Sequence, residues 1–158
     1  MKNLSILLWM GLVLCACSVV EEGQMDAENS AINFDGTYPN SAIDVNAYLL
    51  GGESRTWTTL EFTIDGVSGF QNCRLDDQIQ LNSDKTYDYD GGDMLCGAED
   101  NVKLKSGTWE VDVDNRMLTF DSGTDHEAIF HIESLNAEEI VVRSQYYSWE
   151  VLGKFTHE

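Results

Sequence analysis

Apolar and polar residues alternate with a period of two through most of this chain, in runs too short for helices and separated by Gly, Asn, Asp and Ser. That pattern restricts it to an antiparallel all-β fold. Leu60, Phe62 and Ile64 alternate with Thr59, Glu61 and Thr63, which predicts a strand with one wet face. Further strands are expected at Gln78 to Leu81, Thr86 to Tyr89, Val102 to Lys105, Thr108 to Val113, Met117 to Phe120, Ala128 to Ile132, Glu139 to Arg143 and Tyr146 to Phe155. Trp109, Val111 and Val113 share one face, and a turn at Asp114-Asn115 leads into Met117 to Phe120, so burial pins the register of that hairpin. About eight or nine strands in sequential hairpins favour a small up-and-down barrel, which also removes exposed sheet edges. One short N-terminal helix is expected over Asp44 to Gly52, with Asp44 as N-cap and glycine as the left-handed C-cap.

The first 16 residues read differently. A charged start at Lys2 precedes an apolar run from Leu4 to Leu14 that is shorter than the roughly 20 residues a membrane-spanning helix needs. It has the form of a signal peptide. Its end, Leu14-Cys15-Ala16-Cys17, resembles the bacterial lipobox, with Leu three residues before the acylated cysteine and a small residue directly before it. Cleavage before Cys17 would leave that residue to carry lipid and anchor the chain to a membrane. Residues 17–40 are rich in Glu, Asp, Asn, Ser and Gly without a period, as expected of an acidic flexible tether ahead of a domain spanning 41–158. Ser18 followed by Glu21-Glu22 faintly resembles the surface-export signal of some Bacteroidetes lipoproteins, and an ordinary soluble linker explains it equally well. The expected location is the cell envelope, at the outer membrane, with the periplasmic and surface faces both left open.

Charge narrows the partners. Lys and Arg total 9 against 28 Asp and Glu, a formal charge of −19 spread along the chain. Such a surface repels the phosphate backbone that dominates nucleic-acid affinity, so nucleic acid is not an expected partner.

The stretch Asp76-Asp77-Gln78-Ile79-Gln80-Leu81-Asn82-Ser83-Asp84-Lys85-Thr86-Tyr87 is followed by Gly91-Gly92, Cys96-Gly97, Gly107-Thr108-Trp109 and Leu118-Thr119-Phe120. In order and spacing these resemble the lipocalin-like domain of Bacteroidetes lipoproteins, over roughly residues 52 to 156. The resemblance implies a lipocalin-like barrel. It further implies that an early Trp, here Trp57, packs under a basic residue from the last strands and closes the barrel base, a role open to Arg143 or Lys154.

Cys73 and Cys96 are the pair remaining in the domain, and an even pair in an exported chain reads as a disulfide; free thiols or a metal pair are the competing readings. Asp88, Asp90, Gly92 and Glu99 occupy positions of a calcium-loop frame, but Asp93 stands where the sharp turn needs glycine. No metal or cofactor is expected. His126, His131 and His157 form no site by spacing, and no nucleophile context accompanies the serines, so an enzyme is not expected. Trp57, Trp109, Tyr147 and Trp149 are the candidate ligand or core aromatics, the last three on positions that could face a lumen. They would line a pocket or sugar-stacking surface, or else fill a solid core, and the filled core is the favoured expectation. The functional expectation is a non-catalytic binding or interaction module on a membrane anchor. A structural accessory subunit of an outer-membrane assembly, or a carrier of a small apolar or glycan ligand, are the alternatives.

Overall fold

The computed structural model describes residues 32–68, 72–94, 96 and 103–157. The signal peptide, Cys17 and the tether as far as residue 31 lie outside them. One short helix precedes nine antiparallel strands: α1 (Ala42–Leu50), β1 (Ser54–Ile64), β2 (Val67–Ser68), β3 (Gln78–Asn82), β4 (Thr86–Asp90), β5 (Leu104–Asp112), β6 (Met117–Phe120), β7 (Ala128–Leu135), β8 (Glu139–Tyr146) and β9 (Trp149–Thr156). A single 3₁₀ turn, Asn72–Arg74, lies between β2 and β3. Neighbouring strands pair in chain order from β3 to β9, and β1 pairs with both β3 and β9. Eight strands thus close an up-and-down barrel, with β2 an extra hairpin partner on β1.

Two details of the strands depart from the alternation in the sequence. Leu60 was expected to share the buried face of Phe62 and Ile64, yet it is 49 % exposed. The pairing of β1 with β9 shifts register between Thr59 and Glu61, so Leu60 is the extra residue of a β-bulge. One extra residue flips the parity of everything after it. Trp57, Thr59 and Phe62 therefore all line the interior. The second departure is β5, one strand where two were expected. Gly107 does not interrupt it: Gly107 faces Tyr87 of β4, and the Tyr87 ring and the Asp121 carboxylate occupy the space a Cβ would need.

The helix begins three residues earlier than expected. Ser41, not Asp44, is the N-cap; its hydroxyl oxygen accepts the Asp44 N–H at 3.1 Å while its O–H donates to the Asp44 carboxylate at 2.7 Å. Gly51, at φ 65°, ends the helix and donates its N–H to Ala47 O. Val45, Leu49 and Leu50 are buried against one end of the barrel. The chain before α1 lies on the barrel as well. The Tyr38 hydroxyl donates to Val113 O at 3.2 Å, the Leu135 N–H donates to Thr37 O at 2.7 Å, and the Arg116 guanidinium sits 4.5 Å from the Tyr38 ring centroid. Ile32 packs on Val141 and Leu152, apolar residues of the outer wall that would otherwise meet water. The described part of the stretch expected as tether, 32–40, is thus laid on the domain.

At the other end, the Cys73–Cys96 disulfide is formed and ties the 3₁₀ turn to the loop between β4 and β5. Closing a loop of this length stabilises the fold by about 3 kcal/mol through the unfolded chain. Residues 18–158 should therefore show no reactive thiol in denaturant until reductant is added, and two afterwards; Cys73→Ser/Cys96→Ser should lower unfolding free energy by about 3 kcal/mol in a urea melt.

Candidate functional site

The barrel is hollow. A cavity of about 790 Å³, within the range of small-molecule sites, runs from its base to an open mouth. The expected filled core is thereby corrected. Eight strands leave room either to pack side chains or to hold one small ligand. Here several positions toward the mouth carry small or short side chains, among them Thr59, Ser106 and Ala128, and the larger rings belong to the wall.

The base is sealed by Trp57, which is 2 % exposed. Its indole N–H donates to Leu49 O at 3.1 Å, satisfying a carbonyl in the last turn of α1 that has no helical partner. The His157 ring meets it edge-on at 5.2 Å. The basic residue over Trp57 is Arg55, 5.5 Å from the ring centroid and donating to Tyr48 O. Arg143 and Lys154, proposed for that role by the resemblance, are on the outer wall: Arg143 pairs with Glu133 and Glu150, and Lys154 with Glu139. Trp109 is equally buried but does not line the cavity. Its N–H donates to Asn82 O at 3.1 Å and the Lys85 ammonium lies 3.8 Å from its ring centroid, so it is a core residue.

Tyr147 and Trp149 do not face the lumen. They flank the turn between β8 and β9, 87 % and 49 % exposed, with Tyr147 in the left-handed region at φ 55°. The aromatics that do line the cavity besides Trp57 are Phe62, Tyr87, Tyr89, Phe120, Phe130 and Phe155. A sequence signal existed for several of them. Tyr87 and Tyr89 alternate with Asp88 and Asp90, and Gly153 lies mid-strand where a Cβ would come within 2.8 Å of the Phe155 ring.

The cavity is apolar toward the base and polar toward the mouth. Leu81, Leu118, Ile140 and Val142 come from strand interiors, whereas Arg74, Asp77, Lys105, Asp121 and His126 come from loops or strand ends on the mouth side. Asp77 is 6 % exposed. It accepts the Tyr89 hydroxyl at 2.6 Å and pairs with Arg74 at 3.3 Å, and Arg74 also donates to the Tyr89 oxygen at 3.1 Å. Opposite, Asp121 accepts the Tyr87 hydroxyl at 2.8 Å and the Thr108 N–H at 3.0 Å. Burial, reinforced by the neighbouring carboxylate, raises both tyrosines: Tyr87 to about 12, and Tyr89 further. In the calcium-loop frame Asp90 accepts the Gly92 N–H at 3.1 Å and Asp88 accepts the Asn82 side-chain amide at 3.3 Å, while Glu99 lies outside the described residues.

Over residues 49–142 the chain matches the family model described as lipocalin-like domain. That is more than half of its length, and the closed antiparallel barrel with one short helix is the architecture such a domain requires. The chain belongs to the lipocalin-like domain family. Neither a curated protein nor a solved structure matches it.

The raised Tyr87 hydroxyl has a consequence at high pH. The unfolded phenol ionises near its ordinary value of 10 and the folded one at about 12, so between these the unfolded state binds fewer protons and stability falls as pH rises. Thermal melts from about pH 9 to 12 should show this fall, and Tyr87→Phe should make it shallower over that window. An unchanged slope would remove the Tyr87–Asp121 bond as its cause.

Proposed function

We propose that this protein is a non-catalytic ligand carrier of the cell envelope, holding one small, largely apolar molecule in its barrel and tethered to a membrane by lipid on Cys17. The observation that carries the binding half is the hollow lumen, sealed at the base by Trp57 and α1 and open at the mouth. An apolar wall with a few convergent polar groups is the usual composition of a small-molecule site. The tether half rests on Leu14-Cys15-Ala16-Cys17 after a short apolar run, together with a disulfide suited to an oxidising compartment. The resemblance of the domain motifs to the lipocalin-like domains of Bacteroidetes lipoproteins, with Ser18 and Glu21-Glu22 placed like their export signal, supports an outer-membrane setting. A docking role in an envelope assembly is a second reading, supported by Tyr146, Tyr147 and Trp149 exposed together at one hairpin tip. The two are compatible, since a ligand would pass that rim.

Two measurements test the proposal. The neutral fluorescent probe phenylnaphthylamine should brighten on binding with a Kd of micromolar order. Ala128→Trp, which fills the lumen from the wall, should abolish that signal while leaving the fold intact by circular dichroism; equal binding by the variant would place the probe elsewhere. In the producing cell, Cys17→Ala should be unacylated and lost from the membrane fraction, and unchanged acylation would end the tether claim.

A further inference from the structure

The ligand-carrier reading leaves the chemistry of the ligand open, and the mouth of the barrel narrows it. Polar groups in the cavity lie on the mouth side, so an amphipathic ligand enters with its apolar body first and leaves its head among them. Most of those groups are already engaged with each other. Asp77 holds Arg74 and the Tyr89 hydroxyl, and Asp121 holds the Tyr87 hydroxyl and the Thr108 N–H.

Lys105 is different. It is the second residue of β5, lines the cavity and is exposed at its mouth, and among the described residues its ammonium faces the Tyr89 ring, 5.3 Å from the centroid, with no carboxylate in reach. Among the described residues it is the one Lys or Arg lining the cavity that has no carboxylate partner, since Arg74 is held by Asp77. Lys103, two residues earlier but outside the cavity, has found Asp93 at 2.9 Å, and Lys154 has found Glu139 at 2.9 Å. The other cations without a carboxylate among the described residues are occupied at the base: Arg55 by backbone carbonyls, Arg116 by the Tyr38 ring, and Lys85 by Asn46 and the Trp109 ring.

We propose that the barrel takes an anionic amphiphile, a carboxylate or comparable single-charged head on an apolar body, with Lys105 as the cation that receives the head. The inference rests on the carrier reading and adds the sign of the head to it. A cationic head would meet Lys105 and Arg74 as like charges and would have to share Asp77 or Asp121 with the groups those carboxylates already hold. A neutral head would leave the ammonium as it is. An anionic head gives the Lys105 ammonium the charge-assisted contact that no carboxylate among the described residues supplies.

The test uses one tail with three heads. Dodecanoate, dodecanol and dodecylamine are titrated against bound phenylnaphthylamine on the whole domain at about pH 8, where the first is ionised and the third is protonated. Dodecanoate should compete about five-fold more tightly than dodecanol, the upper end for a contact this exposed, and dodecylamine should be weakest. Lys105→Met should bring dodecanoate level with dodecanol without changing dodecanol itself, and Lys105→Arg should keep the preference. A preference below about two-fold, a lead for the amine, or a preference that persists in Lys105→Met would each overturn the proposal. If the probe binds and dodecanol competes as well as dodecanoate, the carrier reading stands and the anionic head falls; if the probe itself does not bind, both fall.

Discussion

The seam between β1 and β9 is the contact on which the interior depends. β1 pairs with β3 from Ser54 to Thr58 and with β9 from Thr58 to Ile64, so it bends from one side of the barrel to the other. A strand of fixed parity could not do this and still keep its rings inside. With the bulge at Leu60, Trp57 closes the base and Phe62 still faces the lumen, where it packs near Gly153 of β9. Closure at this seam also pairs the edges of the sheet that would otherwise invite association with other chains.

From that closure follows an asymmetry between the two ends. The base has helix, cap and indole hydrogen bonds layered on it, each satisfying a backbone group that burial would otherwise strand. The mouth has no α-helix over it among the described residues, and its loop backbone is satisfied by carboxylates instead, Asp76 accepting the Asp93 and Met94 N–H groups and Asp121 the Thr108 N–H. It is framed by loops, a disulfide and a hairpin tip. Apolar wall atoms bordering an empty space forgo dispersion contacts that an occupant would restore. A hollow lumen next to a base this well satisfied is therefore a place where added atoms gain contact without displacing any.

Much of the fold was legible in the sequence because period-two alternation is a direct record of which face meets water. Strand positions, the barrel class, the Cys73–Cys96 bond and the burial of Trp109 follow from it or from cysteine arithmetic, whereas the burial of Trp57, which alternation sets on the wet face with Thr59 and Glu61, was implied by the family resemblance alone. The bulge was not legible, since one extra residue leaves the local pattern of Leu60, Phe62 and Ile64 looking regular. Nor was the hollow interior. Alternation says that Tyr87, Tyr89 and Phe120 point inward, and does not say whether their rings meet across the barrel or lie along its wall. Tyr147 and Trp149 were misplaced for a related reason: strand periodicity continues up to a hairpin tip, while burial stops at the rim.

Charge acts on two length scales in a molecule of this kind. The formal charge of −19 repels anions at a distance, but beyond about 8 Å that repulsion is screened at physiological ionic strength. Contact at the mouth is decided instead by the groups there, where Arg74 and Lys105 balance Asp77 and Asp121 and, of these two cations, Lys105 is the one without an acidic partner among the described residues. The two scales therefore sort anions by how their charge is distributed. A polyanion feels the whole acidic exterior along its length and has one ammonium to meet. A ligand with a single head feels the exterior only on approach, and once its body is in the lumen it leaves that head beside Lys105. Added salt then has opposite effects on the two stages: it weakens the repulsion that slows association, and it weakens the contact that holds the bound head. The net dependence of affinity on salt is shallow for such a ligand, because the terms oppose each other, whereas for a polyanion repulsion by the exterior outweighs that one compensating contact.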